Sequence, residues 1–227
     1  KKIKRFQPLA DYLVDHLGLY GYQTGRVIVT KNMEDMAGLL KDGTIDIYLD
    51  SPYPTLAVQE LSGSQVILRR WENGVPSSSS THVATKASGI EKAEDLVGKV
   101  VAFEEPFSTS GYVLTAGTLI QQGFDLVEVE RPDAIAGLGK IVYYFSLAEE
   151  NTIEFLLQGR VAAGGMSLQD YERVSDEVKL QLITFGETIT VPNQLVSVRP
   201  GSVSELVEKI TQLMMDVDDS QEGRRLL

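Results

Sequence analysis

Apolar positions recur along the chain at two spacings. Leu9, Tyr12, Leu13, His16 and Leu17 follow the three-and-four spacing of a single helical stripe, which predicts a helix over 8–17. Gly18 and Gly21 then break the pattern. Arg26-Val27-Ile28-Val29-Thr30 is rich in β-branched residues and reads as a strand. Asn32 is placed to cap a helix carrying Met33, Met36, Ala37 and Leu40, which stops near Gly43. Ile45-Asp46-Ile47-Tyr48-Leu49 is the next strand. Strand, helix and strand in so short a span predict a βαβ unit and a parallel sheet.

The alternation continues to the end. Val66-Ile67-Leu68 is strand-like, 75–80 reads as a loop, and 91–96 as a short helix leading to Gly98. The strand over 99–103 is apolar on both faces, as a central strand is. A helix over 110–121 ends at Gly123. A strand over 141–145 and a helix over 149–157, ended by Gly159, precede a small-residue strand over 161–165. Strands over 180–185 and 194–198 come next. Val203, Leu206, Val207, Ile210, Leu213 and Met214 form the cleanest amphipathic helix. The class is α/β with open parallel sheets, whose ligands sit beyond the carboxyl ends of the strands.

Charge narrows the function. Lys and Arg total 21 against 32 Asp and Glu, a net −11, which argues against a nucleic-acid partner. A local site can still oppose that global field and hold an anion. The absence of Cys removes disulfides, thiol nucleophiles and Cys-ligated metals. With His16 and His82 as the two imidazoles, no metal site and no cofactor are expected. No apolar run approaches the ~20 residues of a membrane span. Lys1-Lys2-Ile3-Lys4-Arg5 is basic, but no apolar core comes after it as in a signal peptide.

Four segments have residues suited to a site. In Phe103-Glu104-Glu105-Pro106-Phe107-Ser108-Thr109-Ser110-Gly111-Tyr112 a buried strand turns through three hydroxyls and a Gly into a helix. Free N–H groups and the helix dipole there suit phosphate, phosphonate or carboxylate. Plain capping by Ser108 or Thr109 accounts for the pattern equally well. No Lys comes next as in a nucleotide-hydrolysing loop. Asp50-Ser51-Pro52-Tyr53-Pro54 is a second strand-to-helix junction, with Ser51 as cap and Pro52 at the first helical position. The run 77–82 is a loop by default, or else a hinge or a ring of donors. His82 has no triad partner and reads as structural. In Ser146-Leu147-Ala148-Glu149-Glu150-Asn151-Thr152, Ser146 and Glu149 have capping-box spacing.

These segments resemble the substrate-binding proteins of phosphate, phosphite and phosphonate ABC transporters, which have the type II periplasmic binding protein fold. The resemblance covers nearly the whole chain. It begins at Arg5-Phe6-Gln7-Pro8-Leu9-Ala10-Asp11-Tyr12-Leu13 and continues through Gly43-Thr44-Ile45-Asp46-Ile47. Ala87-Ser88-Gly89-Ile90, Glu94-Asp95-Leu96-Val97-Gly98-Lys99, Gly159-Arg160-Val161 and Val191-Pro192-Asn193 appear in family order. The most specific element is Pro106-Phe107-Ser108-Thr109-Ser110-Gly111-Tyr112, which in the family grips phosphoryl oxygens. The chain also departs from the family. Ser78 stands where a ligand-contacting Tyr is usual, Glu149 where a His is common, and Ala162 where an Asp usually comes directly after Gly-x-Val. No strand is found ahead of Phe6, where the family has one.

The resemblance implies two α/β lobes, 1–83 with 193–227 and 84–192, hinged near 81–85 and 191–195 about a ligand cleft. It implies an extracytoplasmic, monomeric protein, either freely soluble or lipid-anchored before processing, that captures a small phosphorus oxyanion and delivers it to ABC permease subunits. The expected ligand-binding residues are Ser108, Thr109, Ser110, Gly111, Tyr112, Ser51, Tyr53, Ser78, Glu149 and Glu150, with no catalytic residue. The competing expectations are the ligand-sensing domain of a receptor and an enzyme acting on a small phosphorylated metabolite.

Overall fold

The computed structural model describes residues 2–72, 74–132, 139–219, 221 and 223–225. Lys1, at the head of the basic run, lies outside them. The chain divides into two compact units. The first comprises 1–50, 55–69 and 195–227, and the second comprises 51–54 and 70–194. The boundaries fall near 70 and 194, where the sequence placed them near 84 and 193.

In the first unit the opening helix runs Lys2–Leu17, six residues earlier than its apolar stripe indicates. Its Tyr12, Leu13 and Leu17 pack on Val198 and on Leu206, Ile210 and Leu213 of the final helix, Ser204–Met215. The next helix, Met33–Lys41, begins as expected, with the Asn32 side chain accepting the Asp35 N–H at 2.7 Å. Asn32→Ala is expected to cost about 1 kcal/mol, read as a lower urea midpoint at unchanged slope. Met36, Ala37 and Leu40 bury against Tyr48 and Val58.

The expected strand over 26–30 does not form. The Val27 N–H goes to the Gln7 side chain at 3.4 Å, and Gln7 donates to the Gly25 carbonyl at 2.9 Å, so the opening helix takes the polar groups a sheet would need. Ile28 and Val29 are left exposed. Without this strand the βαβ unit expected over 26–49 does not form. Ile47–Asp50 instead pairs antiparallel with Gln194–Val198, in a three-stranded sheet completed by Gln65–Arg70.

The second unit is built on six strands in the order Leu126–Glu128, Ile141–Phe145, Val100–Phe103, Ala163–Ser167, Ser80–Thr85 and Leu182–Phe185. The first four are mutually parallel, and the last two pairs are antiparallel, so the sheet is mixed rather than wholly parallel. Val100–Phe103 is interior, as its two apolar faces require. Phe103, Leu96, Leu119 and Ile141 form one core cluster, and Val83, Ala102, Leu156 and Met166 another.

Two further expectations are corrected here. The 75–80 loop contains a short strand, Ser77–Ser78, paired antiparallel with Val191–Pro192. The small-residue strand begins two residues late, at Ala163, and its small residues are required by the helices packed on it. A Cβ on Gly164 would collide with the Thr152 methyl, and one on Gly165 with the Thr115 hydroxyl.

His82 lies in this sheet, 1% exposed and stacked on Phe185 at 5.4 Å. Burial lowers its pKa from 6.5 to about 4. A depressed imidazole contributes stability that is complete above about pH 6.5 and lost as pH falls toward 4. Thermal unfolding midpoints should therefore fall over this window in the wild type, and fall less in His82→Phe.

Candidate functional site

Thr109 is the centre of the hydroxyl turn. The helix expected from Ser110 opens one residue earlier as a wide π-type turn, Thr109–Val113, and becomes α-helical over Leu114–Gln121. Ser108 caps it, accepting the Gly111 N–H at 2.8 Å. Thr109 is buried, and its hydroxyl accepts the Tyr53 N–H and donates to the Ser51 hydroxyl, both at 2.9 Å. Tyr53 N–H is one of the donors at the start of the helix Pro52–Ser62 that have no partner within the helix. Thr109 thus joins the two strand-to-helix junctions that stand apart in the sequence.

Beside them is a cavity of about 250 Å³, lined wholly by residues of the second unit. One group of lining residues is hydroxylic: Ser51, Ser78, Ser80, Thr109, Ser110 and Ser167. Another is charged: Glu72, Glu104, Glu149 and Asp170, with Arg173. Gln169, Asn193 and Gln194 add amides.

Of the expected site residues, the cavity collects Ser51, Ser78, Thr109, Ser110 and Glu149. Ser108 and Gly111 form the turn behind it, and Tyr53 enters through its backbone. The Tyr112 ring packs with Phe103 and Phe145 at 5.2 and 5.0 Å, and its hydroxyl meets that of Tyr143 at 3.2 Å. Glu150 is exposed and does not line the cavity. The Ser78 hydroxyl donates to the Ser79 carbonyl.

Ser146 is not the helix cap its spacing suggested. Ala148 holds that position, and Ser146 Oγ instead meets Thr152 Oγ1 at 2.6 Å. This frees Glu149 from any capping box and leaves it on the cavity wall.

Of the acidic wall, Glu149 is among the sequence expectations, and Glu72, Glu104 and Asp170 are not. Glu104 comes directly after the central strand, and its carboxyl is raised above the usual range, mainly by burial, against a lowering hydrogen bond from Ser108. Asp170 accepts the Ser167 hydroxyl and pairs with Arg173 Nη1 at 2.9 Å. Ser167 also accepts the Asp170 N–H at 3.0 Å, capping the helix Leu168–Arg173. A Ser three residues before an Asp is the one local signal that could have pointed to this end of the wall. Glu149 is pushed well above the ordinary carboxyl range by burial first, then by a hydrogen bond with Asp170 and by nearby Glu104 and Glu150. At 4 Å and an effective dielectric of 20, one uncompensated carboxylate repels an anion by about 4 kcal/mol.

The family model described as ABC transporter, phosphonate, periplasmic substrate-binding protein matches residues 1–227. The chain belongs to this family. As a family member it captures a solute for delivery to a transporter. Solved structures bear out the type II periplasmic binding protein fold. XAC2383 from Xanthomonas citri, bound to ATP, is 21% identical with a TM-score of 0.93, over 98% of this chain and 82% of that one. PhnD1 from Prochlorococcus marinus, in complex with methylphosphonate, is 16% identical with a TM-score of 0.68, over 99% and 82%. The binding protein component of an ABC phosphonate transporter from Pseudomonas aeruginosa is 16% identical with a TM-score of 0.69, over 99% and 72%. No helix among the described residues is long and apolar enough to cross a membrane.

Proposed function

We propose that the solute is a small phosphorus oxyanion, a phosphonate, phosphite or phosphate. The protein would hold it outside the cytoplasm, as a monomer, and hand it unchanged to ABC permease subunits. The observation that carries this reading is the convergence of Ser51, Thr109 and Ser110 on one cavity wall, with two helix N-termini joined through the Thr109 hydroxyl. Hydroxyls and backbone N–H groups donate to oxyanion oxygens without a basic patch, which suits a chain of net charge −11. PhnD1, of the same fold, was solved with methylphosphonate. The reading includes binding and no chemistry.

The ATP-bound Xanthomonas citri structure favours a second reading, in which the oxyanion is the phosphate of a nucleotide. Calorimetric titration decides between them, using methylphosphonate, phosphite, phosphate and ATP, with sulfate and carboxylates as controls. Stoichiometric binding of a small phosphorus oxyanion, without turnover, is expected. Binding of ATP alone would replace the first reading with the second, and retention of none of the panel would refute both.

A further inference from the structure

Four acidic side chains and one Arg line the cavity in which the proposed function places an anion. Glu149 lies at the start of the helix Glu149–Leu157, and Asp170 lies in the helix Leu168–Arg173. Their carboxyls are within hydrogen-bonding reach of each other. Two carboxyl oxygens can share a hydrogen bond only if one of them carries a proton. The groups around Asp170 determine where that proton resides. It is paired with the Arg173 guanidinium at 2.9 Å and accepts the Ser167 hydroxyl, so its oxygens already serve as acceptors. Glu149 is held next to Asp170, Glu104 and Glu150.

The acids do not by themselves make a ligand site. The same cavity is also lined by Ser80, whose side chain is wholly buried and whose hydroxyl has no hydrogen-bond partner among the described residues. An unpaired buried hydroxyl costs free energy unless something enters to meet it.

We propose that Glu149 and Asp170 form a proton-holding pair in the ligand site, and that its single shared proton is what lets this acidic cavity admit an oxyanion. The proposal rests on the phosphorus-oxyanion reading above. With the proton in place, Glu149 is neutral and Asp170 is balanced by Arg173. Of the remaining lining acids, Glu104 accepts from Ser108, and Glu72 lies on a separate segment. Glu149 then offers an O–H that can turn from Asp170 to a ligand oxygen. Once that proton is lost, Glu149 and Asp170 are a like-charge pair facing the anion, and the ligand is expelled. Ser80 then serves as a further ligand donor on the Ser80–Thr85 strand.

Two measurements test this, one of them without ligand. In the wild type, the Glu149 side-chain carboxyl, followed by carbon NMR, should titrate well above the usual carboxyl pKa of about 4.3. Asp170→Asn, which removes the facing charge, should move that midpoint down. In calorimetry with methylphosphonate, wild-type affinity should fall about tenfold or more between about pH 8 and about pH 10 relative to Glu149→Gln, a comparison in which the probe's own ionisation cancels. Glu149→Gln keeps a neutral donor and should flatten the profile over that range. A Glu149 midpoint in the ordinary range, or parallel wild-type and Glu149→Gln profiles, would overturn the pair. If methylphosphonate, phosphite, phosphate and ATP fail to bind at every pH, the oxyanion reading falls, and the ligand-free titration still decides whether the pair exists.

Discussion

Gly111→Val is expected to lower stability by about 1–3 kcal/mol and to remove detectable binding of the phosphorus ligand. Gly111 is buried in the turn that joins the central strand to its helix. A Cβ there would lie 2.6 Å from Glu104 Cβ, 2.8 Å from Glu104 Oε2 and 3.0 Å from Ser108 Oγ. The first of these atoms is fixed to the backbone and cannot swing away. The Glu104 N–H also donates to the Gly111 carbonyl at 3.2 Å, so the two residues are held together from both sides. A side chain at 111 must push Glu104 outward, break the Ser108 cap, or do both. Either movement displaces the Thr109 and Ser110 hydroxyls from the cavity. Urea unfolding checks the first effect and calorimetry the second. A Gly111→Val protein with wild-type stability and affinity would show that the close packing of this turn is dispensable. Gly111→Ala should fall between the two, since it adds the clashing Cβ without the branch.

The parts of the fold that can be read from sequence are those whose own pattern decides their state. Val100–Phe103 is apolar on both faces and lies inside a sheet, and Asn32 caps the helix that begins at the next residue. The strand expected at 26–30 has the right residue types but lacks a neighbouring strand, and a side chain from the opening helix takes its backbone groups instead. β-propensity depends on having such a neighbour, and local sequence does not show whether one exists.

The candidate site divides in the same way. The hydroxyl turn is legible because Ser108-Thr109-Ser110-Gly111 is a local motif at a strand end. The acidic wall is not, because Glu104, Glu149 and Asp170 come from three segments up to 66 positions apart, and the sheet order brings them to one cavity. Glu149 stands out in the sequence as a substitute for the family's usual His. Its partner Asp170 emerges only because the Ala163–Ser167 strand runs beside Val100–Phe103 and delivers Ser167 and its helix to the same end.

In the proposed bound state the single Thr109 hydroxyl proton turns from Ser51 Oγ to a charged ligand oxygen, so Thr109→Ala should weaken binding by about ten- to a hundredfold, about 1.5–3 kcal/mol. The structure adds a second reason for a large effect. The Thr109 hydroxyl accepts from Tyr53 N–H and donates to Ser51 Oγ, so its removal leaves two groups of the neighbouring junction without this partner as well. Thr109 is 6% exposed. Part of the cost should therefore appear as lower stability without ligand, and part as lost affinity. Thr109→Ser keeps the hydroxyl and loses a methyl, so it should recover most of both. Ser51→Ala tests the other end of the contact. If Ser51 acts on the ligand through its bond to Thr109, the double variant should lose less than the sum of the two single losses. Full additivity would mean that the two hydroxyls meet the ligand independently. Wild-type affinity in Thr109→Ala would remove the hydroxyl turn from the binding site altogether and leave the acidic wall to account for whatever the cavity holds.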